Sequence, residues 1–406
     1  MSATSSSPTE SSIRCRHFGA CGGCSLQDRP YEDQLAFKKG KVAAALAGIE
    51  GLPPLGILGA PRIWNYRNKM EFSFGDVYPP AAGQWLKLGM KPKGRWYEIL
   101  DLSECHLPSP EAAPLLAAVR AWAEDEKVPP YNSHKKEGQL RHLVLREAKN
   151  RPERMVLLVT TAGEIPRRSF VDAVLGAYPA TTILIGRNAK VSDTAVSDTL
   201  EVLTGPGHVT ETLRFSDGAL DYRISPQSFF QTNTTGTEAL YGLLRAWTRE
   251  LQAKSVLDLY CGGGGIALSL AGAARKVVGV ESNRSAVQDA TVNAALNGLE
   301  NCEFYGGTVE FLLPALLDMQ PEAAVIDPPR AGLHAGALRA LIETPPPALF
   351  YVSCNPEALA RDLKVLSPRY RVERLVAVDL FPHTDHVETV AWLKNQARHA
   401  PDARFP

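Results

Sequence analysis

One stretch constrains the fold more than any other: Val256-Leu-Asp-Leu-Tyr-Cys-Gly-Gly-Gly-Gly265. A run of strand-forming apolar residues passes directly into four glycines. Without Cβ atoms, such a loop lets a ligand approach the backbone, and the helix that follows presents free N–H groups. Glu281 ends the next apolar run, 277–281, nineteen residues after Gly262. An acid at that strand tip suits hydrogen bonding to ribose hydroxyls. Further apolar runs at 324–327, 349–353, 375–380 and 387–392 alternate with helical segments. Residues 223–406 are therefore expected to form a doubly wound, Rossmann-like α/β domain with a mainly parallel sheet. Its last two strands, joined by the short 381–386 connection, are expected to form an antiparallel hairpin. A dinucleotide site shares this layout, and so does a tight strand-to-helix turn without ligand.

The front half reads differently. Short β-rich runs at 140–146, 155–160 and 182–186, broken by Pro and Gly, predict an α+β domain with an antiparallel sheet over 13–222. Leu35, Val42 and Leu46 share one face of a helix over 31–46. Residues 1–12 form a polar tail that lacks a signal's apolar core, and it is expected to be disordered. Asn233 and Thr235 can each cap a helix where the second domain begins, and Thr235 with Glu238 predicts a capping box. Lys plus Arg equals Asp plus Glu at 44 each, so global charge says nothing about nucleic acid. Locally, residues 62–98 carry seven basic and three acidic side chains, interleaved with Trp64, Tyr66, Phe72, Phe74, Trp85, Trp96 and Tyr97. That mixture suits phosphate neutralisation and base stacking, or simply a solvated β-domain face. No window approaches the ~20 apolar residues of a membrane span, so no membrane partner is expected.

Seven cysteines in a chain without a signal peptide point to a reducing, cytoplasmic setting, where metal or catalytic roles outrank disulfides. Cys15-x5-Cys21-x2-Cys24 with the distant Cys105 offers four thiolates, suited to zinc or to an iron–sulfur cluster. In the back half, Cys354 ends an apolar strand within Ser-Cys-Asn-Pro. It is either a small buried hydrophobe or a nucleophile needing activation, since a free thiol is only slightly ionised at neutral pH. Asp327-Pro-Pro-Arg330 places a carboxylate at a strand tip and forces an extended exit. Glu388 lies in an apolar strand, as a surface charge or as a base with a raised pKa.

Asp-Pro-Pro-Arg at 327–330, Ser-Cys-Asn-Pro at 353–356 and Phe-Pro-His-Thr-Asp-His-Val-Glu at 381–388 occur in that order, behind Pro-Gln-Ser-Phe-Phe-Gln-Thr-Asn at 226–233. Together with the glycine loop they resemble the RNA uracil-C5 methyltransferase family, which makes 5-methyluridine from S-adenosylmethionine. The resemblance extends from Cys15 onward. It implies that Cys354 adds to uracil C6 and that Glu388 removes the C5 proton. It implies cofactor contacts from Gln231, Tyr260, Gly262, Gly265, Glu281 and Asp327, and substrate contacts from Phe229 and Gln231. Phe229 could instead pack in the core with Phe230. Gly265 and Thr308 stand where relatives often carry Asn.

The stretch 15–27 is similar to a subset of the family that holds a [4Fe-4S] cluster, which assigns Cys15, Cys21, Cys24 and Cys105 as its ligands. His17 and His106 then lie beside the ligands. The front domain resembles the family's RNA-contacting domain at 64–70 and 138–142. The absence of room for a small β-barrel before Cys15 favours 23S ribosomal RNA as substrate, with transfer RNA the alternative. A monomer is expected. A methyltransferase acting on an exocyclic amine, which Asp327-Pro-Pro-Arg argues against, and a non-catalytic RNA-binding factor are the other readings.

Overall fold

The computed structural model describes residues 13–396 except 82–83, 96 and 191–192, so the expected tail at 1–12 and Trp96 lie outside the described residues. The chain opens with α1 (Tyr31–Leu46), β1 (Leu55–Leu58), β2 (Lys69–Ala81), β3 (Gln84–Met90), β4 (Leu100–Asp101) and α2 (Ala112–Asp125). It continues through β5 (Leu140–Glu147), β6 (Arg154–Thr160), α3 (Arg167–Ala177), β7 (Thr182–Arg187) and β8 (Thr199–Thr204). The hairpin β9 (Val209–Phe215) and β10 (Gly218–Ile224) leads to α4 (Thr234–Leu251) and β11 (Ser255–Leu259). Then come α5 (Gly265–Leu270), β12 (Lys276–Glu281), α6 (Arg284–Leu296), β13 (Cys302–Gly306), α7 (Val309–Leu317) and β14 (Ala323–Ile326). The last elements are α8 (Ala335–Glu343), β15 (Ala348–Ser353), α9 (Pro356–Leu366), β16 (Tyr370–Val378) and β17 (Glu388–Asn395).

The front sheet has the order β4-β3-β2-β5-β6-β7-β8. Its pairs are antiparallel apart from β6 and β7, which α3 connects as a parallel crossover. On one face, Leu143, Leu145, Val156 and Leu158 pack with Leu115 and Val119 of α2 and Phe170 of α3. The opposite residues Val144, Met155 and Leu157 enter a second core shared with α4 and the rear sheet. Burial on both faces explains why β6 reads as a near-continuous apolar run, while β5 buries Arg141, His142, Arg146 and Glu147 among its apolar residues.

The rear sheet runs β1-β16-β17-β15-β14-β11-β12-β13. From β15 through β13 it is parallel, as expected of a doubly wound domain. The expected antiparallel hairpin forms between β16 and β17, but β17 also inserts beside β15. Edge strand β13, Cys-Glu-Phe-Tyr-Gly, was not anticipated, because an edge strand needs no continuous apolar run.

Packing does not divide the chain at 222/223. Strand β1 pairs in parallel with β16, and Val42 and Leu46 of α1 share a core with Leu359 and Leu363 of α9. Hairpin residues Val209, Leu213 and Tyr222 pack with Leu240 and Leu244 of α4. The expected Thr235–Glu238 capping box is also absent. Asn233 caps α4 by accepting from the Gly236 amide at 2.9 Å, while Glu238 accepts from Asn150 Nδ2 and the Arg214 amide. A tertiary partner has taken the glutamate that a local motif would have used. No described helix is long and apolar enough to cross a membrane.

Candidate active site

Leu259 pairs with Ile326 on one side and Val280 on the other, and Ile326 pairs with Tyr351. This register brings the carboxyl ends of β11, β12, β14 and β15 to one edge, and with them Tyr260, Glu281, Asp327 and Cys354. Strand order reverses at β11 and β14, where α/β sheets open a crevice for ligands.

Phe229, Gln231, Tyr260, Gly262, Gly265 and Asp327 line one cleft there, with about 530 Å³ of empty space. Tyr260 at φ +68°, Gly262 at +53° and Gly264 at +84° turn the chain sharply out of β11. The Gly262 amide donates to Glu281 Oε2 at 3.1 Å, and Glu281 Oε1 accepts from the Asn283 amide at 2.7 Å. The acid thus braces the glycine loop at the cleft's margin. A Cβ on Gly265 would stand 2.6 Å from Tyr241 Oη, which accounts for a glycine at this position. Thr308 starts α7 without a side-chain cap and does not line the cleft. Phe229 is 69% exposed, whereas Phe230 is 8% exposed and fills the core, so the two neighbours separate into cleft and packing roles.

The front domain supports the segment before α4. Asn68 Nδ2 donates to the Gln231 carbonyl at 2.9 Å, and the buried Arg146 guanidinium donates to the Pro226 and Ser228 carbonyls. Asp258 is a site residue the sequence reading passed over. Fully buried on β11, it accepts from the Ala267 amide at 2.7 Å, and burial raises its pKa well above the carboxylate range. A carboxylate inside an apolar strand was the available signal.

Cys354 and Glu388 line an adjoining opening of about 1560 Å³, together with Arg67, Lys93, Arg330 and His386. Ser353, the last residue of β15, pairs with Thr389 on β17; Cys354 follows Ser353 and Glu388 precedes Thr389, so both flank the end of this ladder. Asn355 accepts from the Glu357 amide to cap α9 and donates through Nδ2 to the Arg330 carbonyl at 2.9 Å. It thereby ties the cysteine turn to the Asp-Pro-Pro-Arg turn. Glu388 is 4% exposed, and burial, reinforced by Asp327, pushes its carboxyl up to about 8. Burial pushes Asp327 up to about 7. Cys354 is exposed at its surface, yet partial desolvation raises its thiol pKa. Glu388 and Asp327 add to that rise, and Arg330 opposes it. A strand-end thiol, a buried carboxyl of high proton affinity and the glycine-loop cleft thus meet at one edge.

Cys15, Cys21, Cys24 and Cys105 line a single cavity of about 440 Å³ and are all free thiols. Gln27 donates to Cys24 Sγ at 3.2 Å, the Gly23 amide to Cys21 Sγ at 3.4 Å, and Gln27 Oε1 accepts from the Cys15 amide. Burial pushes Cys24 and Cys105 up to about 12. Among the described residues, no group of three or more His, Cys, Asp or Glu is placed to hold a single metal ion. Four cysteine sulfurs line this cavity, and two of them receive N–H bonds. His17 and His106 line the same cavity, with His17 Nε2 3.1 Å from Ser103 Oγ.

A family model described as tRNA (uracil-5-)-methyltransferase matches residues 187–396. An uncharacterised RNA methyltransferase of Clostridium tetani is 38% identical over 96% of this chain and 85% of its own length. One from Leptospira interrogans is 34% identical over 93% of this chain and 97% of its own. Among solved structures, the Pyrococcus abyssi tRNA (uracil-54, C5)-methyltransferase in complex with S-adenosyl-L-homocysteine superposes with a TM-score of 0.74. It is 32% identical, over 92% of this chain and 86% of that one. The α/β methyltransferase fold, the cleft at the switch point and these likenesses agree: the chain belongs to the RNA uracil-5-methyltransferase family and uses S-adenosylmethionine.

Proposed function

We propose that this enzyme methylates C5 of a uridine in 23S ribosomal RNA, with Cys354 as nucleophile and Glu388 as base. The observation that carries this reading is that Cys354 and Glu388, which flank the last pair of the β15–β17 ladder, line one opening. The Cys354 thiolate adds to uracil C6, which makes C5 a carbon nucleophile. S-adenosylmethionine supplies the methyl group that C5 accepts. Glu388 then takes the C5 proton, the C5=C6 bond re-forms, and the Cys354 thiolate leaves. Arg330 favours the thiolate. Glu388 must be ionised to accept this proton, and its raised proton affinity makes the ionised carboxylate the stronger base.

Gln231, Tyr260, Gly262, Gly265, Glu281 and Asp327 hold the cofactor, and exposed Phe229 stacks on the target base. Cys15, Cys21, Cys24 and Cys105 hold a [4Fe-4S] cluster outside the methylation chemistry. The enzyme acts as a cytoplasmic monomer. Likeness to the Pyrococcus abyssi enzyme, which acts on tRNA uracil 54, favours transfer RNA as a second reading. Mapping 5-methyluridine in ribosomal and transfer RNA from cells with and without this gene separates the two. Cys354→Ala should abolish both turnover and the covalent adduct with 5-fluorouridine RNA. Unchanged turnover by that variant would overturn the nucleophile assignment.

A further inference from the structure

The segment that delivers Glu388, residues 379–387, is gripped from three directions by parts of the chain more than 140 residues away. On α1, Gln34 Oε1 accepts from the His383 amide at 2.8 Å, and Gln34 Nε2 lies 3.2 Å from His383 Nδ1. Lys38 is fully buried and donates to Asp379 Oδ1 at 2.6 Å and to the Phe381 carbonyl at 2.9 Å. Lys41 reaches the Asp385 carbonyl at 3.0 Å. The amides of Ser25 and Leu26, directly after Cys24, both donate to the His383 carbonyl at 2.9 Å. From the front domain, Tyr66 Oη donates to the Pro382 carbonyl at 3.1 Å, and the Trp64 ring stacks on His383 at 3.7 Å.

His383 itself adopts φ +68°, a left-handed backbone that a non-glycine residue holds only when its surroundings enforce it. Such a grip exceeds what a simple strand connection needs. Its centre, His383, lies five residues before Glu388, and β17 begins at Glu388 itself. We propose that Gln34, with the Ser25 and Leu26 amides, is a positioning device for Glu388 that acts on C5 proton removal and not on RNA or cofactor binding. This rests on Glu388 being the base. The same two amides also make the cysteine segment a structural neighbour of the proton-removal step.

The test uses the full-length enzyme, total RNA from cells lacking this gene, and methyl-labelled S-adenosylmethionine. If the base is displaced, methyl transfer still occurs but the thiolate cannot leave, so labelled protein–RNA adduct survives denaturation. Gln34→Leu should lower kcat by about 10- to 100-fold, as expected of a misplacement near 1 Å, with the Kd for RNA and cofactor changed by less than about twofold. Labelled adduct should accumulate. Gln34→Glu, which keeps an acceptor for the His383 amide, should restore turnover and clear the adduct. Should Gln34→Leu fail to bind cofactor for want of folding, Gln34→Met decides, since it keeps the side chain's length while removing the acceptor for the His383 amide. Normal kcat in the deciding variant, or a raised Kd with no adduct, overturns the proposal. Glu388→Gln run in parallel distinguishes the failures: if it traps no adduct, the base assignment itself is wrong.

Discussion

Replacing Glu388 by glutamine should inactivate the enzyme and stabilise it, and the gain should depend on pH. Glu388 is almost fully buried, and burial lifts its carboxyl from an ordinary value of 4.5 to about 8. Between those values the folded protein retains a proton that the unfolded chain has released. Stability therefore falls as pH rises through the window, by about 1.4 kcal/mol per pH unit. Over the full interval the loss is roughly 5 kcal/mol, complete once pH passes the folded value. Glutamine carries no such proton, so its contribution is flat. Asp327 titrates in both proteins, and the difference between them isolates Glu388. Thermal unfolding of cofactor-free wild type and Glu388→Gln from about pH 3 to pH 9 should show nearly matching pH responses only at the acid end, below the unfolded value near 4.5. The Tm gap should then widen in favour of the variant by several degrees near pH 8 and level off beyond it. Tm curves that stay parallel across this range would refute a buried, proton-holding Glu388.

Gly265→Asn should weaken S-adenosylmethionine binding by about tenfold or more, because its Cβ would meet the Tyr241 hydroxyl at 2.6 Å. Titration calorimetry reads the loss, and adding Tyr241→Phe should recover part of it. Lys38→Met leaves Asp379 buried without its cation and should cost about 3–5 kcal/mol of stability in denaturant unfolding. Loss of less than about 1 kcal/mol would mean Tyr31 and the Phe381 amide suffice to hold Asp379. Anaerobic reconstitution should load about four irons per chain, and Cys105→Ser should lower iron content and cluster absorbance while leaving cofactor binding intact. Full iron loading by that variant would remove Cys105 from the ligand set.

Much of the rear domain was legible because its signals are local. The strand into glycines at 256–265 became β11, the turn and α5, and the apolar runs that follow became β12, β14, β15, β16 and β17. An apolar strand buried on both faces needs little from elsewhere to declare itself. The helix at 31–46 was equally plain, since Val42 and Leu46 keep one face. Its destination was not. Nothing in its periodicity says whether that face meets the front sheet or α9, and it meets α9. Glu238 shows the same limit: a local pattern promised a cap, and Asn150 and Arg214 claimed the side chain instead.

From the sequence alone, the glycine loop with Glu281 and the order of Asp327, Cys354 and Glu388 determined the fold class and the residues of interest. It could not say whether Cys354 was a packing residue or Glu388 a surface charge, because burial and proximity are properties of distant pairings. The tertiary structure decided both. Pairing Ser353 with Thr389 brings the neighbouring Cys354 and Glu388 to one opening, and burial of Glu388 raises its proton affinity. The grip of Gln34 and Lys38 on residues 379–387 spans more than 340 positions, a separation at which sequence spacing carries no information about contact.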